Sequence, residues 1–157
     1  TSGISDTGSR PFTLAMSQSM LGVGVGFDVA GAGEMDIKAP GDARPHAVVD
    51  SREGWVESLR VLLNAFFAGD AMPLFDYEAV RPAGTVIAGF GGVSMGPDPL
   101  KQLHADVTKT LGALIGSPLT VTAIVDIMNM IGRCVVAGEY ASARTRTPHT
   151  PCPPRTH

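Results

Sequence analysis

At 157 residues, with a net charge of −3 and a pI near 5.7, the chain is long enough to form one domain that removes roughly 70% of its unfolded surface from water, so a core needs no disulfide or metal staple. Its 12 Lys and Arg are spread along the chain and only 6% of residues are aromatic; without a basic stripe or a stacking platform, a nucleic acid polymer is excluded as partner. Pro118 and Asp126 interrupt the longest apolar region, Leu111 to Ile131, so no run of about 20 apolar residues is available to cross a membrane.

No secretory signal opens the chain, and Cys134 and Cys152 form neither a zinc spacing nor a disulfide framework, which points to reducing cytoplasm. Thr1–Ser9 is small and polar and begins without methionine, as a piece cut from a longer chain would. Ser9 is placed to cap a helix carrying Phe12, Met16 and Met20 on one face. Gly22–Asp28 alternates glycine with apolar residues and predicts a short strand with exposed backbone on the glycine side. Its G-x-G-x-G spacing, followed by Gly31, Gly33 and Pro40, is not the G-x-G-x-x-G of a dinucleotide fold.

A polar loop over Val29–Arg44 leads to a predicted strand at His46–Val49. Asp50-Ser-Arg-Glu53 then reads as a capping box, with the Asp50 carboxylate taking an amide of the first turn and Glu53 reaching back. The helix it opens carries Trp55, Leu59, Leu62, Leu63 and Phe66 on one face and meets Gly69 at its end. Helix-terminal electrostatics account for Asp50 and Glu53 without a catalytic pair.

The stretch Arg81–Leu100 holds five glycines in twenty residues, and glycine lets a backbone approach a ligand closely. Amides near Gly89, Gly91, Gly92 and Gly96 could face a phosphate or a base. The same pattern also suits a plain turn between a strand, Thr85–Phe90, and a helix opened by Pro97 or Pro99. Gly91 and Gly96 have Walker A spacing, but Pro97 stands where the lysine must be.

Leu100, Leu103, Val107, Leu111 and Leu114 predict a helix over Pro99–Ile115, stopped by Gly116-Ser-Pro118. Thr120 or Thr122 caps the next, whose apolar face is Val121, Ile124, Val125, Met128 and Ile131. Cys134–Gly138 reads as a buried strand, and the alternation of strands and helices argues an α/β fold. His46, His104, His149 and His157 lie at unrelated spacings and propose no metal site. Glu139–His157 is rich in proline and threonine, lacks apolar periodicity and is expected to be disordered.

Four runs together resemble one family: SMLGVGVGFD (Ser19–Asp28), DSREGWVESLRVLLNAFF (Asp50–Phe67), DYEAVRPAGTVIAGFGGVSMGPDPL (Asp76–Leu100) and DIMNMIGRCVVAG (Asp126–Gly138). In this order they resemble the adenosylcobalamin-dependent, class II ribonucleotide reductases, above all the monomeric ribonucleoside-triphosphate reductases. The resemblance covers about residues 10 to 138 and implies part of a ten-stranded α/β barrel over 1–138, with a non-family tail at 139–157. It implies cobalamin-initiated thiyl-radical reduction of a ribonucleoside triphosphate, a deoxynucleoside triphosphate effector and a thioredoxin-type reductant.

Residue by residue, the resemblance places Met20, Leu21 and Gly22 at the substrate nucleotide, and Arg81, Ile87, Ala88 and Gly89 in the effector-binding specificity loop. Residues 31–77 resemble the insertion by which monomeric members make, within one chain, helices that dimeric members take from a partner. The redox and radical cysteines of the family fall outside the resemblance, so no catalytic residue is expected here. Glu139-Tyr-Ala-Ser-Ala-Arg144 departs from the Asn-Val-Arg-Arg-Ser-like loop that links effector to substrate in the family. A non-catalytic α/β nucleotide-binding or interaction module is the alternative reading, and a small dehydrogenase-like domain is disfavoured by the glycine spacing.

Overall fold

Two strands that run parallel need a crossover between them, and the structure is organised on one such unit. In the computed structural model, which describes residues 8–87 and 92–144, strand β1 (Gly41–Ala47) leads into a helix over Arg52–Phe67 and back to a parallel strand over Ala71–Asp76. Before this unit stands α1 (Arg10–Ser19); the crossover helix is α2 and the returning strand β2. After it come β3 (Val86–Ile87), β4 (Gly92–Val93), α3 (Asp98–Gly112) and α4 (Val121–Arg144).

Among the described residues the sheets are two-stranded: β1 with β2 in parallel, and β3 with β4 as an antiparallel pair. Pro45 and Pro73 sit inside β1 and β2, where each strand of a two-stranded sheet has a free edge and can spare an amide. The pairing register shifts between Gly41 and Arg44, then runs from Arg44 opposite Pro73 to Ala47 opposite Asp76. The Val48 amide continues the ladder to the Asp76 carbonyl at 2.8 Å. The predicted His46–Val49 strand is thus displaced toward the N-terminus, and β2 has no counterpart among the expected elements.

Helix α2 buries Leu59, Leu62, Leu63 and Phe66, the face expected from their spacing. Each such side chain contributes roughly 1.5–3 kcal/mol of transfer free energy. Its cap is Ser51, whose Oγ accepts from the Gly54 amide at 3.0 Å. The expected Asp50 cap is therefore shifted by one residue, because Arg81 takes the Asp50 carboxylate instead. Glu53 pairs with the neighbouring Arg52 at 2.5 Å in the open. Gly54 has a separate role: a Cβ there would run into the Val49 carbonyl oxygen and lie 2.7 Å from the Val49 Cβ. Gly69, at φ +81°, follows the C-cap Ala68.

Helix α3 begins after Pro97 and ends at Gly112, three residues short of the expected Ile115. It packs on α4, which also contacts α1; α1 contacts α2, and α2 covers β2. Thr120 Oγ1 accepts from the Ala123 amide at 3.1 Å and starts α4. Ile124, Ile127, Ile131 and Cys134 form its buried stripe.

Four further expectations are corrected. Cys134–Gly138 is helix rather than strand: Cys134 follows Ile131 and Ile127 at helical intervals on the core side, and that packing outweighs the β preference of Val135-Val136. The same helix continues to Arg144, inside the segment expected to lack structure; residues 145–157 lie outside the described residues. Gly22–Asp28 is not a strand. Val23–Val29 has no regular hydrogen-bonded structure, and Val23, Val25 and Phe27 are exposed. No described segment pairs with it, and the intervening glycines have no side chains with which to cover a second face. In place of a strand over Thr85–Phe90 the structure has the short β3–β4 pair, with residues 88–91 outside the described residues.

Candidate functional site

The expected substrate-side residues form the turn that closes α1. The Met20 amide bonds to the Met16 carbonyl at 3.0 Å, the Leu21 amide to Gln18 at 3.0 Å and the Gly22 amide to Ser19 at 2.9 Å. Gly22 takes φ +75°, which favours glycine, and has no heavy atom within 4 Å of where a Cβ would stand. Met20 packs against the core while Leu21 is exposed, so the turn presents one apolar side chain and an open backbone.

On the expected effector side, Arg81 follows the buried Val80, whose amide bonds to the Tyr77 carbonyl at 3.0 Å. Arg81 Nε donates to Asp50 Oδ2 at 2.6 Å, with the two side chains 35% and 27% exposed. Among the described residues this is the guanidinium's sole hydrogen bond. Ile87 lies in β3; Ala88 and Gly89 lie outside the described residues. The base of the β3–β4 pair is fixed by Gly84 N–H to Ser94 O and Ser94 N–H to Thr85 O, both at 2.8 Å. Gly96, at φ +74°, lets the returning chain pass Ala83, whose nitrogen would stand 2.9 Å from a Cβ at this position.

The turn entering α2 lies between the two groups. Asp50 reaches Arg81, and two residues on Arg52 Nη1 donates to Ser17 Oγ at 2.8 Å, in the last turn of α1 before Met20. Separation in sequence hides this arrangement: 31 residues part Asp50 from Arg81, and 35 part Ser17 from Arg52.

A buried polar cluster behind this turn also escapes sequence reasoning. His104, 3% exposed, lies within the apolar face of α3. Its Nε2 is 3.0 Å from Ser58 Oγ, its Nδ1 is 2.7 Å from the Tyr77 hydroxyl, and its ring stacks on Phe75 at 3.9 Å between centroids. Ser58 Oγ is also 2.7 Å from the Trp55 carbonyl, which can only accept. All three contacts are hydrogen bonds if Ser58 donates to Trp55, His104 donates through Nε2–H to Ser58, and Tyr77 donates to Nδ1. The Ser58 hydroxyl proton thus points away from the imidazole, so the pair is not an activated nucleophile.

Burial lowers His104 to about 3, with the charge of His46 as a smaller cause, and burial pushes the Tyr77 phenol up to about 12. The cluster therefore joins α2, α3 and β2 as neutral groups. The signal in the sequence was an imidazole at a core position of a helix between Leu103 and Val107.

Among the described residues no three His, Cys, Asp or Glu side chains gather as a metal site. Burial pushes the Cys134 thiol up to about 12, and His104 has both ring nitrogens engaged. Neither Cys134 nor His104 is therefore available as a ligand to a corrin cobalt. No helix among them is long and apolar enough to cross a membrane.

Residues 27–111 match the insertion-domain family of B12-dependent ribonucleotide reductases. The adenosylcobalamin-dependent ribonucleoside-triphosphate reductase of Euglena gracilis is 51% identical over 131 residues, 82% of this chain and 18% of the relative. That of Lactobacillus leichmannii is 30% identical over 169 residues, 83% of this chain and 23% of the relative. A crystal structure of a B12-dependent, class II ribonucleotide reductase superposes with a TM-score of 0.67 at 27% identity, covering 83% of this chain and 24% of that one. The chain spans about a fifth of the length of these relatives. With more than half of its length matched by the insertion-domain family and the fold shared with a class II enzyme, the chain belongs to the B12-dependent ribonucleotide reductases.

Proposed function

We infer that this chain is a portion of an adenosylcobalamin-dependent ribonucleoside-triphosphate reductase that carries part of the substrate and effector surfaces. The observation that carries the reading is Arg81, held through Nε by Asp50 beside a glycine-rich β pair. A guanidinium so gripped has its remaining planar edge to offer a phosphate. Arg81, Ile87, Ala88 and Gly89 are proposed to contact a deoxynucleoside triphosphate effector. Met20, Leu21 and Gly22 are proposed to meet the substrate nucleotide, where an open glycine turn admits close backbone approach.

The whole reductase is proposed to close a ten-stranded barrel around these surfaces, to work in the cytoplasm and to take electrons from a thioredoxin-type reductant. Adenosylcobalamin supplies the radical initiation in that enzyme. The contribution of this chain is binding and orientation: Cys134 is buried in the core with Ile127 and Ile131, where a nucleotide does not reach it.

Titration of the 157-residue chain with dATP and with deoxyadenosine tests the reading. The triphosphate should bind with a dissociation constant of about 0.1–1 mM, weak because association costs translational and rotational freedom and the chain carries only part of the site. The nucleoside should bind less. Arg81→Ala should weaken dATP binding by roughly 1.5–3 kcal/mol, as expected for a charge-assisted contact. Arg133→Ala, which removes only the exposed partner of Asp106, should change little. Equal binding of the two ligands, or indifference to Arg81→Ala, would leave the loop a structural turn and favour a non-catalytic module of another kind.

A further inference from the structure

We propose that Asp50 is the positioning residue of Arg81, selecting the guanidinium orientation that receives an effector phosphate; the proposal rests on the effector reading above. The carboxylate is free for this task because Ser51 caps α2. An aspartate one residue before a helix cap ordinarily gains from the partial positive charge of the helix N-terminus, yet here its Oδ2 accepts from Arg81 Nε at 2.6 Å.

Both ends of the contact stand on fixed backbone. The Asp50 turn is pinned by Val48 N–H to Asp76 O and by Ser51 N–H to Val49 O, both at 2.8 Å. Arg52 ties the same turn to Ser17 of α1 at 2.8 Å, and the missing side chain of Gly54 makes room for the Val49 carbonyl. Arg81 is anchored by the buried Val80 next to it. A long side chain otherwise samples many rotamers, and gripping Nε fixes the guanidinium plane while using neither Nη group among the described residues.

Two effects of Asp50 on a triphosphate have opposite signs, which makes the role decidable. As a positioning residue it strengthens binding by pre-orienting Arg81. As a mere counter-charge it neutralises Arg81 and repels phosphate, so its removal would tighten binding.

The experiment measures dATP affinity of the 157-residue chain and its Asp50→Ala, Asp50→Asn, Arg81→Ala and Asp50→Ala/Arg81→Ala variants, and follows the Arg81 Nε–H resonance by NMR. Positioning predicts that Asp50→Ala weakens binding about fivefold to thirtyfold, between the value of an exposed ion pair and that of a charge-assisted hydrogen bond. Asp50→Asn, which keeps an oxygen acceptor in the same place, should recover part of the loss. In the Arg81→Ala background Asp50→Ala should cost nothing more, and the slowly exchanging Nε–H signal of Arg81 should vanish in Asp50→Ala without ligand present. Unchanged or tighter dATP binding in Asp50→Ala, with Arg81→Ala still impaired, overturns the positioning role alone. Indifference to Arg81→Ala, or no dATP binding by the parent chain, overturns the effector reading and this proposal with it.

Discussion

Acidification should destabilise this chain through His104 before most of its carboxylates protonate. The imidazole is held neutral in the fold, lowered from 6.5 to about 3 by burial and the charge of His46, while the unfolded chain binds a proton near 6.5. The folded pKa is the lower one, so the stability tied to the neutral ring is fully present above about pH 6.5 and is lost as pH falls toward 3. At 1.36 kcal/mol per unit, the loss is about 0.8 kcal/mol at pH 6 and about 2 kcal/mol at pH 5.

The groups around the ring do not reverse this sign. Tyr77 and Ser58 are uncharged in this range, and Lys101, 5.4 Å from the Tyr77 ring centroid, is a cation that opposes a second positive charge. Urea denaturation of the parent chain and of His104→Gln at pH 7.5, 6 and 5 checks the prediction: the parent should lose about 2 kcal/mol more than the variant between the extremes. A His104 resonance titrating near 6.5 in the folded chain, or parallel pH dependences for the two proteins, would refute it. The same spectra test the hydrogen-bond assignment, which requires the proton on Nε2.

The remaining predictions concern packing and reactivity. Gly54→Ala should destabilise by roughly 1–3 kcal/mol, since its Cβ has to displace the backbone of Val49 rather than a flexible side chain; a melting temperature equal to the parent's would show that the turn yields freely. Cys134 should resist iodoacetamide at pH 8 and react once urea opens the core, because burial keeps its thiol protonated; mass-spectrometric mapping of the label to Cys134 in the native chain would contradict this. Incubated with adenosylcobalamin, a ribonucleoside triphosphate and a dithiol, the chain should form no deoxynucleotide above blank, a result that chromatography of the products decides.

Features set by neighbours along the chain were legible in the order of residues. The apolar faces of α1, α2 and α3, the Thr120 cap and the left-handed Gly69 follow from intervals of three and four residues and from local backbone demands. The family was legible too, because four separated motifs in order constrain a reading more than any one of them does. Tertiary structure decided the rest. A capping aspartate and an ion-paired aspartate look alike in sequence, and only the approach of Arg81 across 31 positions chose between them. Strand β2 was hidden by Pro73, which is tolerated because a two-stranded sheet has an open edge for it. Val23, Val25 and Phe27 have the alternation of a strand, but a strand exists only through hydrogen bonds to another, and none of the described residues supplies them. Cys134–Gly138 has strand-like composition and became helix because its buried side sits in line with Ile127 and Ile131. His104 shows the same limit: an imidazole is polar by composition, and only the joint approach of Ser58, Tyr77 and Phe75 satisfies both nitrogens and lets the core hold it neutral.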